Sequence, residues 1–195
     1  MSATKPPTLL CRVTANRAHH RASLILKCFM SREPKLLFKA FTVYVRPLVE
    51  YCSPVWAPVY KTDIDLIERV QRRFTKRLRG LWHLSYSERL LFLDNADTLE
   101  LRRLKQDLLM IFKIVHHLVD MDFDAFFGLN AYTCTRGHDF KLMKPVTNNN
   151  ARHFSFACRR IDSWNSLPSF AVSCQSVSGF KFQINKCDFS KYLKN

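Results

Sequence analysis

Glycine is scarce in this 195-residue chain, with only 4 present. That scarcity excludes a glycine-rich phosphate loop, whose tight backbone cradle needs several, and disfavours a turn-dense all-β fold. Acidic residues are also few, 16 Asp plus Glu against 31 Lys plus Arg. No two aspartates are adjacent, so the metal-binding pair of a polymerase hairpin is missing. The densest acidic run, Asp120-Met121-Asp122-Phe123-Asp124, lies just ahead of Phe126-Phe127 and reads as a turn and helix cap. There is no C-x-x-C pair. The seven cysteines (Cys11, Cys28, Cys52, Cys134, Cys158, Cys174, Cys187) are odd in number and widely spaced, which fits reduced thiols of an intracellular protein rather than a disulfide framework. Residues 1–7 lack the apolar segment of a secretory signal. The most apolar stretch, 36–60, is interrupted by Lys39, Arg46, Pro47, Glu50, Pro54 and Pro58, so no membrane span is expected. Repeats, heptads and low-complexity tracts are absent as well.

What is present is ample core material. Hydrophobic residues make up 47% and aromatics 13%, with 16 phenylalanines, enough for one moderately large domain or two small units sharing a core. A loose leader is expected over 1–15. Helical spacing begins near Asn16, with Leu24, Leu26 and Phe29 apolar against Arg17, Arg21 and Lys27. Ser31-Arg32-Glu33-Pro34 reads as a helix start, and Leu36, Leu37, Ala40, Phe41, Tyr44 and Val45 continue it to Pro47. A proline-punctuated connector carrying an inward Trp56 follows. Thr62 is the expected cap of a helix reaching about Arg79, where Gly80 stops it. Ser85 and Glu88 form a capping box for a short helix through Leu93, and Thr98 caps a long one. Beyond Asp120 the pattern loosens. Residues 140–144 alternate weakly as a short strand, 153–164 read as a helix, and Ser176 caps a last helix through Phe180 and Ile184. The expected fold is therefore mainly α, with at most a small β element in the C-terminal third. Its divisions are a leader at 1–15, a helical region at 16–120 and an extension at 121–195.

The formal charge of +15, with a pI near 9.8, favours a polyanionic partner, because cations that contact phosphates release condensed counterions. An anionic membrane surface shares that electrostatic signature, and composition does not separate the two; the clustering of the charge argues against a merely scattered, solvated surplus. Lys61, Arg69, Arg72, Arg73, Lys76, Arg77 and Arg79 crowd the helix expected over 62–79. Arg69, Arg72, Arg73 and Lys76 recur at three- and four-residue steps, while Ile67, Val70, Phe74 and Leu78 form an apolar seam on another face. No acid follows Glu68 to neutralise the stripe, so a phosphate-tracking face outweighs an ordinary solvated one. A second basic group comprises Arg136, Lys141, Lys144, Arg152, Arg159 and Arg160, interleaved with Phe140, Phe154 and Phe156. Such rings stack on unpaired bases when exposed, although core packing is the commoner use. Cys134 and His138, at C-x-x-x-H spacing, give at most half a zinc site, and His153 with Cys158 makes a poor second half. The adjacent pairs His19-His20 and His116-His117 point apart on a helix. No catalytic residue, metal site or cofactor is therefore assigned.

The segments YVRPLVEYCSPVW at 44–56, DLIERVQRRFTK at 65–76, LSYSERL at 84–90, LELRR at 99–103, TRGH at 135–138 and WNSLP at 164–168, in that order, resemble the region after the polymerase palm in jockey-like non-LTR (LINE-type) retrotransposon reverse transcriptases. Together they cover about residue 16 to the end. The resemblance implies a helical, thumb-like bundle with a C-terminal extension that holds template RNA or RNA–DNA duplex. It also implies that the aspartates of the RNA-directed DNA polymerase belong upstream of residue 16, so this chain is not expected to catalyse by itself. Two alternatives stand beside a non-catalytic nucleic-acid-binding fragment. One is part of a complete reverse transcriptase. The other is a protein-interaction module, or an inert product, whose surfaces once faced the palm. The expected location is nuclear or cytoplasmic, and nothing in the sequence fixes the oligomeric state.

Overall fold

The computed structural model describes residues 8–129 and 137–194. The fold is mainly α, as the periodicity indicates, and β structure among the described residues is limited to one antiparallel bridge between Leu129 and Leu142. Two compact units are present. The first runs to Arg102 and takes in Lys194; the second is Arg103–Leu193.

The first unit contains α1 (Leu9–Cys28), α2 (Pro34–Tyr44), α3 (Arg46–Glu50), α4 (Ser53–Trp56), α5 (Lys61–Lys76) and α6 (Tyr86–Phe92). Helix α1 begins at Leu9, well inside the stretch expected to be a loose leader. Its inward face is Cys11, Ala15, Ala18, Ala22 and Ile25, a regular three–four spacing built mostly from alanine, which carries little hydropathic contrast. Such small side chains let a neighbouring helix approach closely. That neighbour is α5, whose Ile64, Ile67, Val70 and Phe74 are buried, as is Leu78 just beyond it. The Thr8 N–H donates to Asp63 Oδ1 at 2.8 Å, and Leu26 shares a hollow with Phe74 and Arg77, so α1 and α5 lie side by side and run in the same direction. Phe41 of α2 stacks on Phe74 at 4.6 Å, closing the core from the other side.

Several helix ends differ from expectation. Helix α5 starts at Lys61 with Tyr60 as its cap residue, so Thr62 lies inside it. It ends at Lys76, after which successive three-residue turns carry the chain through Leu78 to Leu81. Gly80 sits in that turn at φ +79°, a left-handed conformation costly for other residues. The Ser85–Glu88 capping box is formed in full.

Helix α7 (Leu99–Val115) begins in the first unit, and its Leu101 N–H donates to Thr98 Oγ1 at 3.2 Å. The unit boundary falls inside α7, after Arg102, where the sequence suggested a division at 120. The second unit continues with α8 (Phe123–Phe126), α9 (Asn150–His153), α10 (Phe156–Arg159), α11 (Ile161–Asn165), α12 (Ser169–Val172), α13 (Val177–Ile184) and a 3₁₀ turn at Ser190–Tyr192. The helix expected over 153–164 is thus three short ones. Its core stacks Phe112 on Phe180 at 4.3 Å, with Trp164 6.0 Å from Phe180. Ser176 caps α13, accepting from the Gly179 N–H at 3.1 Å.

Candidate nucleic-acid interface

The outer face of α5 carries the charge. Lys61, Arg69, Arg73 and Lys76 are exposed, as are Arg77 and Arg79 in the turn that follows. Among the described residues none of these six takes part in an ion pair. Glu68, the nearest acid on the helix, is fully buried and turned the other way. Its carboxylate accepts the Leu99 and Glu100 N–H groups at 3.2 Å each and the Tyr86 hydroxyl, so it caps the start of α7. Burial, and then Glu68, push the Tyr86 hydroxyl far above its ordinary pKa, so it stays a donor.

Arg72 stands apart from the other cations. It is half-buried, and its guanidinium lies over the Tyr86 ring, 5.2 Å from the centroid. On the same ring Arg89 lies at 5.6 Å, and its Nε donates to Thr75 Oγ1 at 3.2 Å. The accessible stripe is therefore Arg69, Arg73 and Lys76, continued by Arg77 and Arg79, while Arg72 helps join α5 to α6.

The stripe extends onto α1, which sequence reasoning did not include. His19, His20, Arg73 and Arg77 line a hollow of about 180 Å³ between α1 and α5. Arg77 also lines the next hollow, together with Arg32 and Arg79. Neither lining contains a carboxylate. His19 is held below the ordinary imidazole pKa, first by burial and then by Arg73 and Arg69, the direction expected for a group in a positive field. A further omission is Trp82, three residues past Arg79 and 70% exposed, edge-on to His83. The signal for α1 was faint because its buried face is alanine. Trp82 was legible as a tryptophan in a short turn after a basic run.

A larger hollow of about 690 Å³ in the first unit differs in character. Lys35, Lys39, Arg46 and Arg102 there face Glu33, Asp94 and Asp97. Lys35 pairs with Asp94 at 2.7 Å, and Arg102 donates twice to Glu50. Arg46 is only 8% exposed, lies over the Phe38 ring, and has its pKa lowered by burial and Arg102. This charge is largely internal to the fold.

In the second unit the other predicted cations have different roles. Arg159 donates to both oxygens of the fully buried Asp107, at 3.0 and 2.8 Å, and Arg160 donates at 3.0 Å. Both guanidiniums are thus engaged on a buried carboxylate 52 and 53 residues away. Lys144 pairs with Asp162. Arg152 is exposed on α9, and Lys141 is half-buried. Arg136, Thr135 and Cys134 lie outside the described residues. Phe156 packs against Phe127 at 5.9 Å and Phe140 against His116 at 5.1 Å, which is core use. His138 is buried, with Nε2 3.2 Å from the Trp164 carbonyl, and burial lowers its pKa. Among the described residues no three metal-ligating side chains converge. In the acidic run Asp122 caps α8 by accepting the Asp124 N–H at 3.1 Å. The Trp164-Asn165 dipeptide is a clamp: Asn165 brackets the Leu142 backbone with two 2.8 Å bonds, and the Trp164 indole N–H donates to the Phe140 carbonyl at 2.8 Å.

No family model matches the chain, and no solved structure does. An uncharacterized protein of Caenorhabditis elegans is 32% identical over 79 residues, which is 39% of this chain and 40% of that protein. The match therefore spans about two fifths of either chain. No helix among the described residues is long and apolar enough to cross a membrane.

Proposed function

We propose that this chain binds a nucleic-acid backbone along the α5 face, as a non-catalytic piece related to LINE-type reverse transcriptases, with template RNA or RNA–DNA duplex as its partner. One observation carries the reading. Arg69, Arg73, Lys76, Arg77 and Arg79 form an exposed row without ion pairs among the described residues, on a helix whose nearest acid is turned inward. Trp82 adds an exposed ring a few residues along, suited to stacking on an unpaired base. The family relation is supported by the order of the sequence motifs, and several of these touch. Glu50 in the first holds Arg102 in the fourth, and Glu68 and Arg72 in the second hold Tyr86 in the third. Their co-occurrence thus has a physical reason.

The test is fluorescence anisotropy of the full chain with a labelled 16-base-pair RNA–DNA hybrid across a salt series. With five cations engaged, log K should fall against log salt with a slope of roughly −4.5. Replacing Arg69, Arg73 and Lys76 together with glutamate should lower affinity by more than about tenfold and flatten that slope. Equal affinity in the variant, or no dependence on salt, would overturn the proposal. So would displacement of the hybrid by phosphatidylserine vesicles that bind more tightly to the same face. The polymerase relation is read separately, from an in-frame pair of adjacent aspartates in the genomic sequence upstream.

A further inference from the structure

We infer that the hollow between α1 and α5 is a subsite for one backbone phosphate, gripped by Arg73 and Arg77 with His19 as a third donor. The inference rests on the nucleic-acid reading above and deepens it, because that reading concerns the outer face of α5 while the hollow lies in its seam with α1.

Size, lining and continuity support the assignment. At about 180 Å³ the hollow is smaller than the roughly 300 Å³ at which pockets begin to enclose drug-sized ligands, so it suits a phosphate better than a nucleoside. Its floor is apolar, formed by Ala22, Leu26, Val70 and Phe74, and its polar rim is His19, His20, Ser23, Arg73 and Arg77. A low-dielectric floor under cations strengthens their hold on an anion. The next hollow shares Leu26 and Arg77 and adds Arg32 and Arg79, so a backbone leaving the first meets further arginines.

His19 gives the site a pH dependence with a definite sign. The charged or titratable groups that reach it are Arg69 and Arg73 on α5, Arg77 beyond α5 and its own neighbour His20. All are basic; burial first, and then Arg73 and Arg69, lower the free imidazole's pKa, so it is mainly neutral at pH 7. A phosphate reverses that field and raises the imidazole midpoint, so binding takes up a proton from water. Affinity is then greatest below the free-state midpoint and is lost as pH rises through the bound-state one, by about tenfold for each unit between the two.

The experiment uses the full chain with ¹⁵N-labelled histidine. The His19 titration midpoint is measured by NMR in three states: free, with the 16-base-pair RNA–DNA hybrid, and with inorganic phosphate. Hybrid affinity is measured by anisotropy from pH 5.5 to 8 for the wild type, His19→Gln and His153→Gln. The expected result is a raised His19 midpoint with the hybrid and a pH-dependent affinity that His19→Gln flattens and His153→Gln, at an exposed position on α9, leaves in place. If the hybrid binds with its salt dependence intact but the His19 midpoint does not move, the subsite is wrong and the α5 reading survives. If inorganic phosphate moves the midpoint and the hybrid does not, the hollow is a free-anion site and the backbone assignment is overturned. Failure of the hybrid to bind at all removes the α5 reading, and with it this inference.

Discussion

A buried carboxylate on a cationic helix is unusual enough to need an explanation, and Glu68 has one. It receives two backbone N–H groups of α7 and the Tyr86 hydroxyl, so its charge is solvated by the protein. Tyr86→Phe should therefore lower stability by about 1.5–3 kcal/mol in urea unfolding, since a hydrogen bond to a buried charge is lost. Hybrid affinity should be nearly unchanged, because Tyr86 lies on the inner side of α5. Asp107 in the second unit is a sharper case. Removing it with Asp107→Ala leaves two largely buried guanidiniums without their carboxylate, at a cost of about 3–5 kcal/mol in the same measurement. Neither role could be read from the sequence. The partners of Glu68 lie 18 to 32 residues away and those of Asp107 52 and 53, distances over which spacing carries no information.

At the scale of elements, legibility followed hydropathic contrast and local chemistry. The capping box at Ser85 and Glu88 was evident because it is a four-residue pattern, and it is formed as expected. Ser85→Ala should cost about 1 kcal/mol of stability, measured by thermal unfolding. The Glu88 half has a pH signature. Its carboxyl is held below the usual range by the Ser85 side chain and backbone, so its contribution is present above the unfolded-state pKa and lost as pH falls through the folded one. The apolar seam of α5 was equally plain, and all four of its predicted members are buried. Helix α1 was missed over its first turns because the inward residues there are only Cys11 and Ala15, and the face continues in Ala18 and Ala22, which bury well without standing out as hydrophobic. Their importance is steric. Ala18→Leu would force α1 from α5 and should cost about 1–3 kcal/mol, seen as a lower urea midpoint with an unchanged slope. Residues 153–164, which hold the end of α9, α10 and most of α11, read as one helix from sequence, since turns such as that between Phe154 and Ser155 carry neither glycine nor proline.

For the molecule as a whole, the charge surplus was plain from composition, but its distribution was not. Part of it is consumed internally, in Arg46, Arg89, Arg102, Arg159 and Arg160, and part is left on the α1–α5 side of the first unit. The parallel run of α1 and α5 has one more consequence. Helices that point the same way add their macrodipoles, and here two partly negative C-terminal ends come together near Arg73, Lys76 and Arg77. Some of the positive charge at this end therefore offsets the helices' own fields before any ligand arrives. Glutamate placed there should destabilise the fold by a few tenths to about 1 kcal/mol per site beyond what glutamine does. Glutamine twins of the charge-reversal variants, compared for both unfolding and hybrid binding, separate the cations that hold the helix pair together from those that meet phosphate.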